Sequence, residues 1–178
     1  AWYPLHGQSD DELLRHADTA MYAAKESGRN AWRRYHPDMT LRLQQQLCLE
    51  RALRRALQHN EFELWYQPKV DLFTGRVEGA EALLRWHDPE HGLVSPAEFI
   101  PLAERSGLII PLGERVLELV CAQLAAWRSA DCLPGPVAIN VAALQIERSD
   151  YVASLTQALQ RFDLQTSMLE VEITESLL

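Results

Sequence analysis

The chain has 178 residues, 47% of them hydrophobic and 24% charged, the balance of an ordinary soluble globular protein of one domain or a domain and a fraction. Its net charge of −8 excludes a sequence-independent grip on DNA or RNA, which needs clustered Lys and Arg, but leaves room for a small phosphate ligand held by a metal or an Arg. Cys48, Cys121 and Cys132 are odd in number and widely spaced, which argues against a disulfide framework or a zinc site and fits a reducing cytosol. No apolar run reaches the ~18 residues of a membrane span, so no membrane contact is expected within the chain. It starts at Ala1 without a Met and reads as a piece of something longer.

In chain order, Ser9-Asp10-Asp11-Glu12 is a capping-box pattern, and Leu13, Leu14, Ala17, Ala20, Met21 and Ala24 follow at helical spacing up to Gly28, a candidate C-cap. A short strand is expected near Ala31–Tyr35, and Pro37 breaks the pattern. Residues 39–59 then read as one helix with a Leu43, Leu47, Leu53 and Leu57 stripe, either a stiff connector or a helix packed on the next domain. Phe62–Val70 alternates as a strand, Thr74-Gly75 turns, and Val77–Trp86 is a second strand. Ser95-Pro96-Ala97-Glu98 opens a helix that Gly107 ends. Leu112 to about Ala130 is a long helix, Val137–Val141 a buried strand, 150–162 a helix and Leu169–Ile173 a fourth strand. Strand and helix in alternation make an α/β chain with a mainly parallel sheet.

Three of these strands carry chemistry. Period-two alternation puts Val77, Gly79, Glu81, Leu83 and Arg85 on one face. Asn140 is the polar residue of the third strand, and Glu170 and Glu172 share a face of the fourth. Two carboxylates and an amide carbonyl, Glu81, Glu172 and Asn140, are hard oxygen ligands suited to Mg²⁺ or Mn²⁺, with Arg85 free to grip a phosphate. The alternative is that Glu81 pairs with Arg85 and the others cap strand ends. His87 and His91, four apart around Pro89, read as a turn rather than a ligand pair. Trp65 and Trp86 read as packing.

Several of these segments carry a resemblance. Tyr66-Gln67-Pro68-Lys69-Val70, Gly79-Ala80-Glu81-Ala82-Leu83-Leu84-Arg85-Trp86, Ser95-Pro96-Ala97-Glu98-Phe99-Ile100-Pro101, Ala138-Ile139-Asn140-Val141 and Glu172-Ile173-Thr174-Glu175-Ser176 resemble successive landmarks of the EAL family. The resemblance implies a TIM-type (β/α)₈ barrel whose first strand runs antiparallel, with only about the first four strands present. It implies metal-dependent hydrolysis of cyclic di-GMP to linear pGpG. Glu81 and Glu172 would be catalytic and, with Asn140, would hold the metal. Gln67, Leu84 and Arg85 would contact substrate, and Glu175 would anchor a loop that couples dimerisation to metal binding. A homodimer through this domain is then possible.

The segment from Tyr3-Pro4 through Ala17-Asp18-Thr19-Ala20-Met21-Tyr22-Ala23-Ala24-Lys25 to Gly28-Arg29-Asn30 looks like the end of a GGDEF domain, without its signature. The domain reading is thus 1–36 as a GGDEF remnant, 37–59 as connector and 60–178 as the first half of an EAL domain. The family's later acidic and lysine residues would lie past residue 178, so the fragment alone is expected to be inactive. The alternatives are an inactive cyclic di-GMP receptor or a regulatory module. The location expected is the cytoplasm, in the cytosolic part of a membrane-anchored parent or not.

Overall fold

The computed structural model describes residues 1–26 and 30–173. The chain falls into two units, residues 1–51 and 52–178. In the first, α1 (Asp10–Glu26) begins behind Ser9, whose Oγ accepts the Glu12 N–H at 3.3 Å. The Glu12 carboxylate reaches back one residue further than a capping box requires, to the Gln8 N–H at 2.9 Å. Ala20, Ala24 and Tyr35 are this unit's buried apolar residues, and Tyr35 stacks on His16 at 4.0 Å between ring centroids. Residues 31–36 form no regular structure. The strand expected at Ala31–Tyr35 is therefore absent, since a short extended segment is stable only beside a partner strand. Gly28 lies outside the described residues.

Helix α2 spans Pro37–His59. Pro37 starts this helix rather than breaking the pattern, because a first-turn residue has no intrahelical use for the N–H that proline lacks. Leu53 and Ala56 of its last turns are fully buried.

The second unit is a five-stranded sheet with helices on one face. Its strands are β1 (Phe62–Val70), β2 (Val77–Asp88), β3 (Gly92–Val94), β4 (Val137–Val141) and β5 (Leu169–Ile173). They run in the order β1-β2-β4-β5, with β3 paired to β2 off that path. β1 is antiparallel to β2; β2–β4 and β4–β5 are parallel, and parallel neighbours need a long crossover connection. The connections carry α3 (Pro96–Ser106), α4 (Ile109–Ser129), α5 (Ala143–Arg148) and α6 (Tyr151–Arg161).

The short β3 and α5 go beyond the elements expected from the sequence, and α4 starts three residues earlier than Leu112. Gly107 ends α3 in the left-handed region at φ 74°. Ser95 precedes Pro96, but its hydroxyl makes no capping bond; its carbonyl accepts the Glu98 N–H at 2.9 Å instead. The Asp150 carboxylate does cap α6, accepting from Ala153 N–H at 3.1 Å.

One sheet face is apolar. Ala80 and Ala82 of β2 and Val137, Ile139 and Val141 of β4 form a core with Leu117, Val120, Cys121 and Leu124 of α4 and Tyr151 and Leu159 of α6. Burying each such Leu, Ile or Val side chain contributes about 1.5–3 kcal/mol. At the other end Trp86, fully buried, meets Phe99 edge-on at 5.5 Å and Phe62 at 5.9 Å.

Two further features hold β2 in place. Arg55, on the last turns of α2, bonds Asp88 at 2.7 Å, Glu61 at 3.4 Å and Glu90 at 3.5 Å. Asp88 is 2% exposed and accepts from Glu90 N–H, His91 N–H and His91 Nδ1. Burial raises its carboxyl pKa, but the bonds from His91, from the two backbone N–H groups and from Arg55 together outweigh burial and hold it below the ordinary value.

At the other end of β2, a Cβ on Gly79 would stand 2.6 Å from the Pro136 carbonyl oxygen, the same oxygen that accepts the Ala80 N–H at 3.0 Å. Backbone cannot yield there as a flexible side-chain tip could. Gly79→Ala is expected to destabilise the fold by about 1–3 kcal/mol, read as a lower urea midpoint at unchanged slope.

Candidate active site

The second sheet face is polar, and the candidate residues gather on it. Alternation in β1 turns Glu63, Trp65, Gln67 and Lys69 to this face, while Phe62, Leu64 and Tyr66 turn to the helices. The β1–β2 register pairs Gln67 with Glu81, Trp65 with Leu83 and Glu63 with Arg85. In the parallel pairs Ala82 stands opposite Ile139, and Asn140 stands directly opposite Glu172. Glu81, Asn140 and Glu172 therefore lie on one face of three adjacent strands.

Asn140 Nδ2 donates to Glu81 Oε1 at 2.6 Å. This bond points the amide nitrogen at one carboxylate and makes Oδ1 the other end of the amide. Glu81 is not used up by Arg85, whose Nη1 donates to the Leu84 carbonyl at 2.9 Å and whose guanidinium lies over the Trp65 ring, 5.0 Å from its centroid. Glu172 is held by Lys69, with Nζ 2.7 Å from Glu172 Oε1 and 3.3 Å from Glu170 Oε2. The Glu172 bond raises the Lys69 pKa above the ordinary lysine value; partial burial opposes it, and the Glu170 bond adds to it.

The donor set fits a hard divalent cation, since all three groups offer oxygen. Among the described residues no three His, Cys, Asp or Glu side chains form a metal-holding group, so the set depends on the amide oxygen of Asn140.

Leu84 falls on the opposite, helix-facing side of β2. It lines a cavity of about 290 Å³ at the C-terminal ends of β2 and β4, with Arg85, Pro96, Leu112, Asn140 and Gln145. Leu84 thus stands apart from Gln67 but beside Arg85 and Asn140. Gln145, 4% exposed, closes this region; its Oε1 accepts the Ala142 N–H at 2.9 Å. Gln67 is exposed and lies opposite Glu81. Glu175 lies outside the described residues.

His87 and His91 diverge, as the turn reading expects: His87 Nε2 meets Glu63 Oε1 at 2.8 Å and His91 Nδ1 meets Asp88 Oδ1 at 2.8 Å. Trp86 packs in the core, while Trp65 turns to the polar sheet face. It is 50% exposed on the polar face, because odd-numbered residues of β1 turn away from the helices. The sequence reading gave Lys69, Glu170 and Trp65 no part in this site. The signal that would have found them is the register of β1 on β2, which the parity of Gln67 and Glu81 fixes.

No helix among the described residues is long and apolar enough to cross a membrane. The family model of the EAL domain matches residues 50–178. Over 176 residues the chain is 44% identical to the bifunctional diguanylate cyclase/cyclic di-GMP phosphodiesterase MucR of Pseudomonas aeruginosa, covering 99% of this chain and 26% of that protein. It is 42% identical over 175 residues to the cyclic di-GMP phosphodiesterase PdeR of Escherichia coli, covering 98% of this chain and 26% of that protein. The solved PaMucR phosphodiesterase in complex with c-di-GMP superposes with a TM-score of 0.68 at 43% identity, over 74% of this chain and 52% of that one. The chain therefore spans about a quarter of these curated relatives and about half of the solved one. With the family model covering most of its length and the strands in the order that carries Glu81, Asn140 and Glu172, the chain belongs to the EAL domain family.

Proposed function

We propose that this chain supplies the opening half of a metal-dependent phosphodiesterase site that hydrolyses cyclic di-GMP to linear pGpG. The observation that carries this reading is the alignment of Glu81, Asn140 and Glu172 on one polar face of adjacent strands, with Asn140 bonded to Glu81 at 2.6 Å. Glu81 Oε2, Asn140 Oδ1 and the Glu172 carboxylate would hold Mg²⁺ or Mn²⁺. Such an ion lowers the pKa of bound water and offsets the charge of a phosphodiester. Arg85 holds a non-bridging phosphate oxygen, which its planar guanidinium suits. Gln67 faces the same phosphate from β1. The cavity beside Leu84 and Pro96 takes one guanine base, its apolar wall excluding water from the reacting side. Lys69, whose Nζ lies 2.7 Å from Glu172 Oε1, would share that carboxylate with the cation.

In this reading the sheet is the first part of a TIM-type (β/α)₈ barrel, with residues 1–36 the end of a GGDEF domain and 37–59 the connector. Glu175 anchors the loop between metal and dimer interface, the domain works as a homodimer, and the site lies in the cytoplasm. The relatives' names support the substrate, and the gathering of Glu81, Asn140 and Glu172 on one sheet face supports the site.

The test is conversion of cyclic di-GMP to pGpG by the longest natural polypeptide carrying these residues, in Mg²⁺ or Mn²⁺ and in EDTA. Turnover that EDTA abolishes is the expected result. Binding without turnover would replace the enzyme by a receptor, and neither binding nor turnover would leave a regulatory module.

A further inference from the structure

The polar face holds a second chain of contacts that the proposed chemistry does not use. Glu63 Oε1 accepts from the Trp65 indole Nε1 at 2.5 Å and meets His87 Nε2 at 2.8 Å. The Trp65 ring in turn lies beneath the Arg85 guanidinium, 5.0 Å from centroid to Cζ. Arg85 is also tied by Nη1 to the Leu84 carbonyl. Two strands thus meet through side chains at the C-terminal end of β2: Glu63 and Trp65 from β1, Arg85 and His87 from β2.

Geometry explains the arrangement. Glu63 and Arg85 are register partners and Trp65 pairs with Leu83, so Trp65 is a diagonal neighbour of Arg85 on the same face. An indole without a polar partner would be free to adopt other rotamers. The bond to Glu63 fixes its ring plane, and the fixed plane offers its negative face to the guanidinium. Glu63 stays ionised in this role: the Trp65 bond first, then the His87 bond, hold its carboxyl below the ordinary pKa, against a smaller effect of burial.

Resting on the phosphodiesterase reading, we propose that Trp65 is a positioning residue that sets the direction of Arg85 toward the substrate phosphate, with Glu63 fixing the indole. Trp65 acts through Arg85 and touches no reacting atom. Holding the guanidinium over the ring leaves N–H groups free for a phosphate and removes rotamers that would have to be frozen on binding.

The experiment is a double-mutant cycle in the longest natural polypeptide, with Trp65→Ala, Trp65→Phe, Arg85→Ala and the pair Trp65→Ala/Arg85→Ala. KM and kcat for cyclic di-GMP are measured in Mg²⁺, and thermal midpoints are followed. Trp65→Ala is expected to raise KM roughly three- to tenfold with a smaller change in kcat. Trp65→Phe, which keeps a ring face but loses the N–H to Glu63, falls between. In the Arg85→Ala background, Trp65→Ala adds less than twofold. An equal loss with and without Arg85 would overturn the proposal, since Trp65 would then act on substrate or fold directly.

A second readout stands apart from turnover. The Arg85 Nε–Hε resonance, assigned by its loss in Arg85→Lys, is expected upfield of free arginine by the indole ring current and to return in Trp65→Ala. An unshifted resonance in the parent protein would sink the pairing even in an active enzyme. A shifted resonance in a protein without turnover would instead sink the phosphodiesterase reading and leave the pairing standing.

Discussion

In the longest natural polypeptide carrying these residues, and on the phosphodiesterase reading proposed above, Glu81→Gln is expected to reduce cyclic di-GMP hydrolysis by on the order of 10³-fold while the fold survives. The argument is one of charge at constant shape. Glutamine keeps an acceptor oxygen for Asn140 Nδ2, so the 2.6 Å bond that orients the amide is retained. What is lost is one negative charge on a hard oxygen donor, where the proposed divalent cation would need it. Glu81 lies on the polar face, clear of the core formed by Ala80, Ala82, Val137 and Ile139. A thermal midpoint within a few degrees of the parent is therefore expected alongside the lost rate. Mn²⁺ affinity, followed by the electron paramagnetic resonance of the free ion, should fall in step. Near-normal turnover by Glu81→Gln would remove Glu81 from the metal set.

The second large effect is its mirror image. Trp86→Ala is expected to cost about 3–5 kcal/mol of stability, a large share of the roughly 5–15 kcal/mol that holds a typical domain folded. Trp86 is fully buried, in ring contact with Phe62 and Phe99, and its indole nitrogen donates to Glu61 Oε2 at 3.2 Å. Truncation opens a cavity between β1, β2 and α3 that three rigid elements cannot close, and leaves the Glu61 carboxylate with Arg55 alone of these two partners. Urea unfolding checks it, and a midpoint shift worth less than about 1 kcal/mol would contradict the packing argument. Trp86 and Arg85 are neighbours in sequence, yet one is read by a denaturation curve and the other by a rate.

That contrast shows what was legible beforehand. Strand parity is a strong signal: β1 and β5 read from alternation, β4 from a buried apolar run, and within β2 parity puts Glu81 and Arg85 on one face. The three candidate oxygen donors stood out as oxygen-bearing side chains on successive strands. The parity of Trp65 with Gln67 puts its ring on the polar face rather than against the helices, which its residue type alone does not announce. The strand expected at Ala31–Tyr35 failed because propensity is local and strand pairing is not. Short elements such as α5 rest on individual bonds, among them the buried Gln145 Oε1 to the Ala142 N–H, which no periodicity announces. Lys69 between Glu170 and Glu172 joins residues about a hundred positions apart, and only the folded sheet brings them together.

The pairing of Asn140 with Glu172 has a last consequence. β4 has five residues, with Val137, Ile139 and Val141 turned inward and Ala138 and Asn140 in between. Sliding it by one position along β2 and β5 would drive the amide of Asn140 in among the helices and push isoleucine and valine out among the carboxylates. Chemistry and solubility would be lost in the same step. The grease of this strand is thus also its proofreader: any misalignment that would blunt the site exposes enough apolar surface for the cell to discard the chain.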